Sequence, residues 1–134
     1  SNKSELLLGY TTKFGDSAAD FLPMGDVYKS DVKKIAEMIG VPDRFIDKIP
    51  RAGLWEGQTD EEEIGHTYEE IDKILKGIEN SENSEKIAEK NGVSKEAVEE
   101  IKNRVIRNAH KRKIPTVCKL RSATVGNDWR EFSH

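Results

Sequence analysis

The sequence predicts a mostly helical fold, and three observations carry that prediction. Apolar residues recur at three- and four-residue spacing in several segments, which places them on one face of a helix. Thr59 with Glu62 and Thr67 with Glu70 have capping-box spacing, in which a side chain closes the open amide end of a helix. No segment has the sustained apolar alternation of a buried strand.

Taken in order, Ser4 to Phe14 forms a first helix, with Gly15 suited to its left-handed C′ position. Residues Gly15 to Gly25 form a loop carrying Asp16, Asp20 and Pro23. Ser30 to Ile39 forms a second helix through Val32, Ile35, Ala36 and Ile39, and Gly40 ends it. Pro42 opens a short helix through Arg44, Phe45 and Ile46. An irregular segment from Ile49 to Gln58 holds Trp55. The Thr67 cap opens a helix with Tyr68, Ile71, Ile74, Leu75 and Ile78 on one face. Glu85 to Lys90 is a further helix, closed by Asn91-Gly92. Ser94 caps a long one that runs to Lys111, before Pro115. The remainder, from Thr116 to His134, shows only weak alternation.

Composition narrows the function classes. Hydrophobic and charged residues each make up 35% of the 134 residues, against a usual charged share of about 25%. A core this lean suggests that part of the burying surface lies elsewhere. The longest aliphatic run is Leu6 to Leu8, far short of the ~20 residues that span a bilayer, so no membrane partner is expected. The opening Ser1-Asn2-Lys3 has neither an initiator Met nor a basic-then-apolar leader pattern, and reads as the interior of a longer protein. Cys118 is the single cysteine. It permits no internal disulfide, which suits a reducing, cytoplasmic setting, and it reads as a small buried or half-buried filler rather than a nucleophile.

Net charge is −3, unevenly placed: residues 1–101 carry 13 basic and 23 acidic side chains, and residues 102–134 carry 9 and 2. Carboxylates gather around the first helix and its loop at Glu5, Asp16 and Asp20. Hard oxygen donors of this kind suit Mg²⁺, and helix capping is the competing account. Lys29 stands just before the second helix, where an ammonium and a helix amino end both attract phosphate. The polar loop Arg51 to Glu61 with its indole has the look of a functional loop, although Trp55 serves equally as an anchor. His110-Lys111-Arg112-Lys113 sits at a helix carboxyl end, favoured there by the dipole and also fit to bind an anion. His66 and His134 read as solvated or structural. No Cys/His metal spacing and no Gly-x-x-x-x-Gly-Lys or Gly-x-Ser-x-Gly motif occurs.

One alternative belongs to another class. Ile87 to Arg112 reads as a short helix, a Gly turn and a Ser-capped basic helix, the outline of a helix-turn-helix DNA-binding or protein-interaction module. Its base-reading positions hold Glu96, Glu99 and Glu100, which repel phosphates, and the body is acidic, so nucleic acid is not an expected partner.

Five spaced motifs point further. Ser1-Asn2-Lys3-Ser4-Glu5, Lys13-Phe14-Gly15-Asp16, Ala19-Asp20-Phe21-Leu22-Pro23, Ala52-Gly53-Leu54-Trp55-Glu56-Gly57-Gln58-Thr59-Asp60-Glu61 and His110-Lys111-Arg112 occur in one order. From Ser1 to about Pro115 the chain resembles the carboxyl-terminal half of NAD synthetase, most closely the short ammonia-dependent archaeal and bacterial form. The resemblance implies the helical carboxyl-terminal portion of a Rossmann-like α/β domain of the ATP-pyrophosphatase type, with residues 1–115 belonging to it and 116–134 a tail. It implies a homodimer that uses ATP, deamido-NAD, ammonia and Mg²⁺. Glu5 and Asp16 would be metal ligands, and Asp16 the catalytic proton acceptor for ammonia. Lys29 and Arg51 would meet ATP, although Arg51 stands where the family commonly has a small hydroxyl residue. Lys13, Asp20, Glu63, His110 and Lys111 would line the deamido-NAD site. The family's Ser-Gly-Gly-x-Asp-Ser pyrophosphate loop is absent from these 134 residues, so the chain by itself is expected to be inactive.

Overall fold

A computed structural model describes residues 1–15, 17–50, 53, 56–113, 115 and 117–122. Seven α-helices follow in order: α1 Lys3–Leu8, α2 Lys29–Met38, α3 Asp43–Ile46, α4 Asp60–Ile64, α5 Tyr68–Glu79, α6 Ser84–Asn91 and α7 Lys95–Arg107. A 3₁₀ turn over Ala109–Arg112 closes the series. No strand occurs among the described residues.

Helix α5 is the hub, packing against α1, α2, α6 and α7. Its Ile71, Ile74 and Leu75 form a buried cluster with Leu8 of α1, Ile87 of α6 and Val98 and Ile101 of α7. The caps follow the sequence pattern. Thr59, Thr67 and Ser94 accept the amides of Glu62, Glu70 and Ala97, and Asn83 does the same for Lys86 at the start of α6. Each satisfies an amide that the helix geometry leaves open. The pair α6 and α7 that suggested a helix-turn-helix turns Ala97, Val98 and Ile101 into this core.

Three expectations need correction. The first helix ends at Leu8 rather than Phe14. Gly9 adopts φ +67, and a Cβ there would lie 2.4 Å from Cβ of Asn108, so only glycine fits. The last helix ends at Arg107 rather than continuing to Lys111, because Asn108 leaves the helix and donates its amide to the carbonyl of Leu8 at 2.8 Å. Both misplacements share one cause, a contact between segments 100 positions apart. Cys118 is exposed rather than half-buried.

Gly77 sits inside α5, where Ala would ordinarily raise helix stability by up to ~1 kcal/mol. A Cβ there would meet Cγ1 of Ile87 at 2.6 Å and Cδ1 at 2.9 Å. Overpacking should therefore win, and Gly77→Ala is expected to lower unfolding free energy by about 1–3 kcal/mol in a urea titration. Unchanged or increased stability would show that α5 and α6 separate more easily than this packing requires.

Two carboxylates on the α5 side are held below the ordinary range by the ammonium groups they accept from. Asp31 is lowered by Lys34 and Lys76, and Glu79 by Lys3 and then the Tyr28 hydroxyl. Their contribution is present above the unfolded carboxylate pKa of about 4 and is lost as pH falls through the lower folded values. The melting temperature should fall as pH is lowered below about 4, with a shallower decline in Lys76→Met.

Candidate functional site

The site begins with a local rule. Asn2 caps α1 by accepting the amide of Glu5 at 3.1 Å, and the Asn2 amide donates in turn to Glu5 Oε2 at 3.1 Å. This reciprocal cap fixes one oxygen of Glu5 and leaves Oε1 for Lys29, whose Nζ lies 2.9 Å away. Lys29 is placed with equal care. Tyr28 gives α2 no side-chain cap, so the first amides of that helix find partners in other elements. The Lys29 amide donates to Ser4 Oγ at 2.9 Å and the Ser30 amide to Asp72 Oδ2 at 2.8 Å. Ser4 Oγ in turn donates to Asp72 Oδ1. Asp72 is 2% exposed, and it ties α1, α2 and α5 together.

Beside this pair lies Asp60, the first residue of α4, 5% exposed. Its Oδ2 receives a long hydrogen bond from the Tyr68 hydroxyl at 3.4 Å, while Oδ1 is buried with no hydrogen-bond partner. Burial pushes the Asp60 carboxyl up; the charge of Lys29 opposes that shift and the charge of Glu5 adds to it. Burial also drives the Tyr68 phenol up, with Glu5 and Asp60 reinforcing it. The Lys29 ammonium stands 5.2 Å from the centre of the Tyr68 ring. Glu5, Lys29, Asp60, Tyr68, Asp72 and Lys73 all line one open cavity of about 1140 Å³, large enough for a nucleotide.

A second cleft of about 760 Å³ lies across Tyr10, which lines both. Here Glu63 Oε2 accepts from the Tyr10 hydroxyl and from Gln58 Nε2, each at 2.8 Å. These bonds hold the Glu63 carboxyl below its usual value, with a smaller contribution from Arg104. Arg104, Arg107 and Lys111 supply positive charge to the same cleft. Lys111 Nζ donates to the carbonyls of Gly9 and Thr11 at 2.6 and 2.9 Å, and Arg112 donates to Leu7 at 2.8 Å. The basic run therefore caps the carbonyl end of α1 rather than only that of its own helix.

The structure thus brings Glu5 and Lys29 together in one cavity and Glu63 and Lys111 in the other. Lys13, Asp20 and His110 line neither cavity. Asp16 and Arg51 lie outside the described residues. His66 is half-buried, with Glu70 at 3.2 Å and Glu100 at 3.5 Å. No group of three His, Cys, Asp or Glu side chains gathers as a metal cluster among the described residues. Glu5, a hard carboxylate that lines the first cavity, nevertheless fits Mg²⁺, which takes one or two carboxylates and completes its shell with water and phosphate oxygens.

Asp60, Tyr68 and Asp72 were not singled out from the sequence. Asp72 did carry a signal: it falls on the same face of α5 as Tyr68, Ile71 and Leu75, where a charge needs a reason to be buried.

Comparison with known proteins now decides the family. The family described as NAD synthase matches residues 1–115. The chain belongs to it. Among curated relatives, the NH(3)-dependent NAD(+) synthetase of Methanococcoides burtonii is 50% identical over 119 residues, covering 89% of this chain and 45% of the relative. The enzyme of the same description from Thermococcus kodakarensis is 49% identical over 116 residues, covering 86% and 46%. A solved NMN synthetase from Francisella tularensis superposes with a TM-score of 0.72 at 42% identity, over 90% of this chain and 45% of that one. The chain therefore spans under half the length of these NAD synthase relatives.

The Asp72 clamp yields a test. Asp72→Ala would leave the Ser30 amide and Ser4 hydroxyl unpaired, at about 1–3 kcal/mol for each buried group. Urea unfolding should register a loss in that range or above, and Asp72→Asn a smaller one. Equal stability for Ala and wild type would remove the clamp from the fold.

Proposed function

We propose that this chain supplies the carboxyl-terminal, substrate-facing portion of an ATP-dependent amide-forming ligase that converts deamido-NAD to NAD. Residues 1–115 form that portion of a Rossmann-like α/β domain, and 116–134 a tail. Exposed apolar side chains on and beside α2 and α3, among them Met38, Ile39, Phe45 and Ile49, support the view that more of the domain packs here. The observation that carries the function is the Glu5–Lys29 pair, set on one cavity wall within a stretch that matches the NAD synthase family.

The chemistry assigns each charge a task. The nicotinate carboxylate attacks the α-phosphorus of ATP, a P–O bond forms, and pyrophosphate leaves with the electron pair of the broken bond. Ammonia then adds to the acyl carbon, loses a proton and expels AMP. Mg²⁺, when bound, neutralises charge on the pyrophosphate. Glu5 and Asp16 would hold that cation, and Lys29 with Arg51 would place positive charge on the phosphate oxygens. Asp16 accepts the proton from ammonia. Lys13, Asp20, Glu63, His110 and Lys111 orient the dinucleotide; in the second cleft Glu63 provides an acceptor, already held ionised by Tyr10 and Gln58. The enzyme works as a cytoplasmic homodimer.

The similarity to an NMN synthetase favours a second reading that differs only in the acceptor, a nicotinate mononucleotide in place of the dinucleotide. A complementation assay separates the two. Joined to the amino-terminal half of an ammonia-dependent relative, the chain should restore amide formation, and offering both acceptors shows which has the higher kcat/KM. The 134-residue chain alone should form no NAD. In the joined enzyme, Lys29→Ala should raise KM for ATP by roughly 10- to 100-fold, since a charge-assisted bond contributes about 1.5–3 kcal/mol. An unchanged KM with unchanged kcat would take Lys29 off the phosphates.

A further inference from the structure

We propose that His66, in its protonated form, straps the corner between α4 and α5 to α7 and so fixes the spacing of the two walls of the second cleft. His66 is then a positioning residue, acting on the cleft through the elements it joins. The strap works whichever acceptor enters the cleft, and so stands apart from the ligase reading.

His66 lies between Gly65, which ends α4, and Thr67, which caps α5. Its Nδ1 is 3.2 Å from Glu70 Oε2 on α5, and its Nε2 is 3.5 Å from Glu100 Oε2 on α7. Both facing groups are carboxylates, which when ionised only accept hydrogen bonds. A neutral imidazole carries one N–H, so one of its nitrogens sets a lone pair against a carboxylate oxygen. The imidazolium donates from both nitrogens and meets both partners. The His66 side chain is 14% exposed, so water satisfies little of the ring. The other charges nearby are spoken for or balanced. On α4, Glu62 accepts from Thr59, Glu61 from the Tyr68 amide, and Glu63 from Tyr10 and Gln58. On α5, Glu69 and Lys73 line the first cavity. On α7, Glu96 and Arg104 stand one turn either side of Glu100, the first favouring a charged ring and the second opposing it.

The strap sits where the second cleft is built. Glu63 is three residues before His66 and Arg104 four residues after Glu100. Both line the cleft, and the charge of Arg104 helps to lower the Glu63 carboxyl. The α4 wall has little rigidity of its own, because a five-residue helix depends on tertiary contacts to persist. Ile64 anchors it in the core, and the Tyr10 hydroxyl holds Glu63. The contact of His66 with Glu100 adds a tie to the opposite wall. Imidazole changes its charge between about pH 5 and pH 8, so this tie tightens as pH falls through that range.

Site-resolved NMR of the 134-residue chain tests the strap. Long-range proton–nitrogen spectra of the His66 ring should show both nitrogens protonated at about pH 5.5 and only one at about pH 8. Exchange of the Glu63 and Gly65 amides, corrected for the intrinsic pH dependence of exchange, should be roughly two- to fivefold slower at the lower pH, as expected of a partly exposed ion pair. That difference should vanish in His66→Gln and in Glu100→Gln. His66→Lys stays charged and should keep the slower rate at both pH values, whereas a role in packing alone gives protection that does not move with pH. Equal corrected rates in the wild type, an undiminished pH response in Glu100→Gln, or fast exchange in His66→Lys at about pH 8 would each overturn the strap. Amide spectra report whether each variant is folded, and Glu100→Gln, on the exposed side of the contact, keeps the proposal open to refutation if a His66 variant does not fold. A working strap in a chain that fails the complementation assay would leave the strap standing and remove the ligase reading.

Discussion

A carboxylate buried among three helices is costly unless its oxygens are hydrogen-bonded, and much of this structure follows from how that is met at Asp72. The Ser4 hydroxyl occupies one oxygen and the Ser30 amide the other. Because the same serine hydroxyl accepts the Lys29 amide, the start of α2 is locked beside the second residue of α1. Glu5 and Lys29 are the next side chains along these two fixed backbones. Their ion pair is a consequence of the buried clamp and contributes little to holding it, since a partly exposed pair is worth about 0–1 kcal/mol. The clamp stabilises the fold, and the pair is left available for chemistry.

Each of the two cavities pairs an acidic with a basic candidate residue, Glu5 with Lys29 and Glu63 with Lys111. The first cavity mixes carboxylates such as Glu5, Asp60 and Asp72 with several lysines, among them Lys29 and Lys73, and the other cleft sets Glu63 against Arg104, Arg107 and Lys111. Tyr10 stands between them. Its phenol is pushed well above the usual value, first by burial and then by its bond to Glu63, so it remains a hydrogen-bond donor at every physiological pH. A neutral donor shared by two clefts couples their geometry without adding charge to either.

Most of the helical framework was legible because its determinants are local. The threonine and serine caps of α4, α5 and α7, the apolar face of α5 and the glycine after α6 each act within one or two turns. The ends of α1 and α7 were not legible, since Gly9 and Asn108 are decided by each other across the chain. Glu5 and Lys111 lie in the spaced motifs, Lys29 was marked by its place before α2 and Glu63 by the family resemblance, and their placement in two cavities was not legible. Asp60 escaped notice for a physical reason: an acidic residue in the first turn of a helix reads as dipole compensation, and the orphaned oxygen exists only after Tyr68, Glu5 and Lys29 have closed around it. Asp72 was hidden in the same way, with partners 42 and 68 positions distant.

The carbonyl end of α1 is finished by residues from the far end of the described chain: Asn108 on Leu8, Lys111 on Gly9 and Thr11, Arg112 on Leu7. During synthesis these groups leave the ribosome about 100 residues after the helix they complete. Helix α1 is short and exists alone only marginally, so its carbonyl end depends on partners that the chain supplies late, while its amino end is held by Asp72 of α5. The carbonyl end of α1 is therefore completed only after the helical body of α5 to α7 has been synthesised.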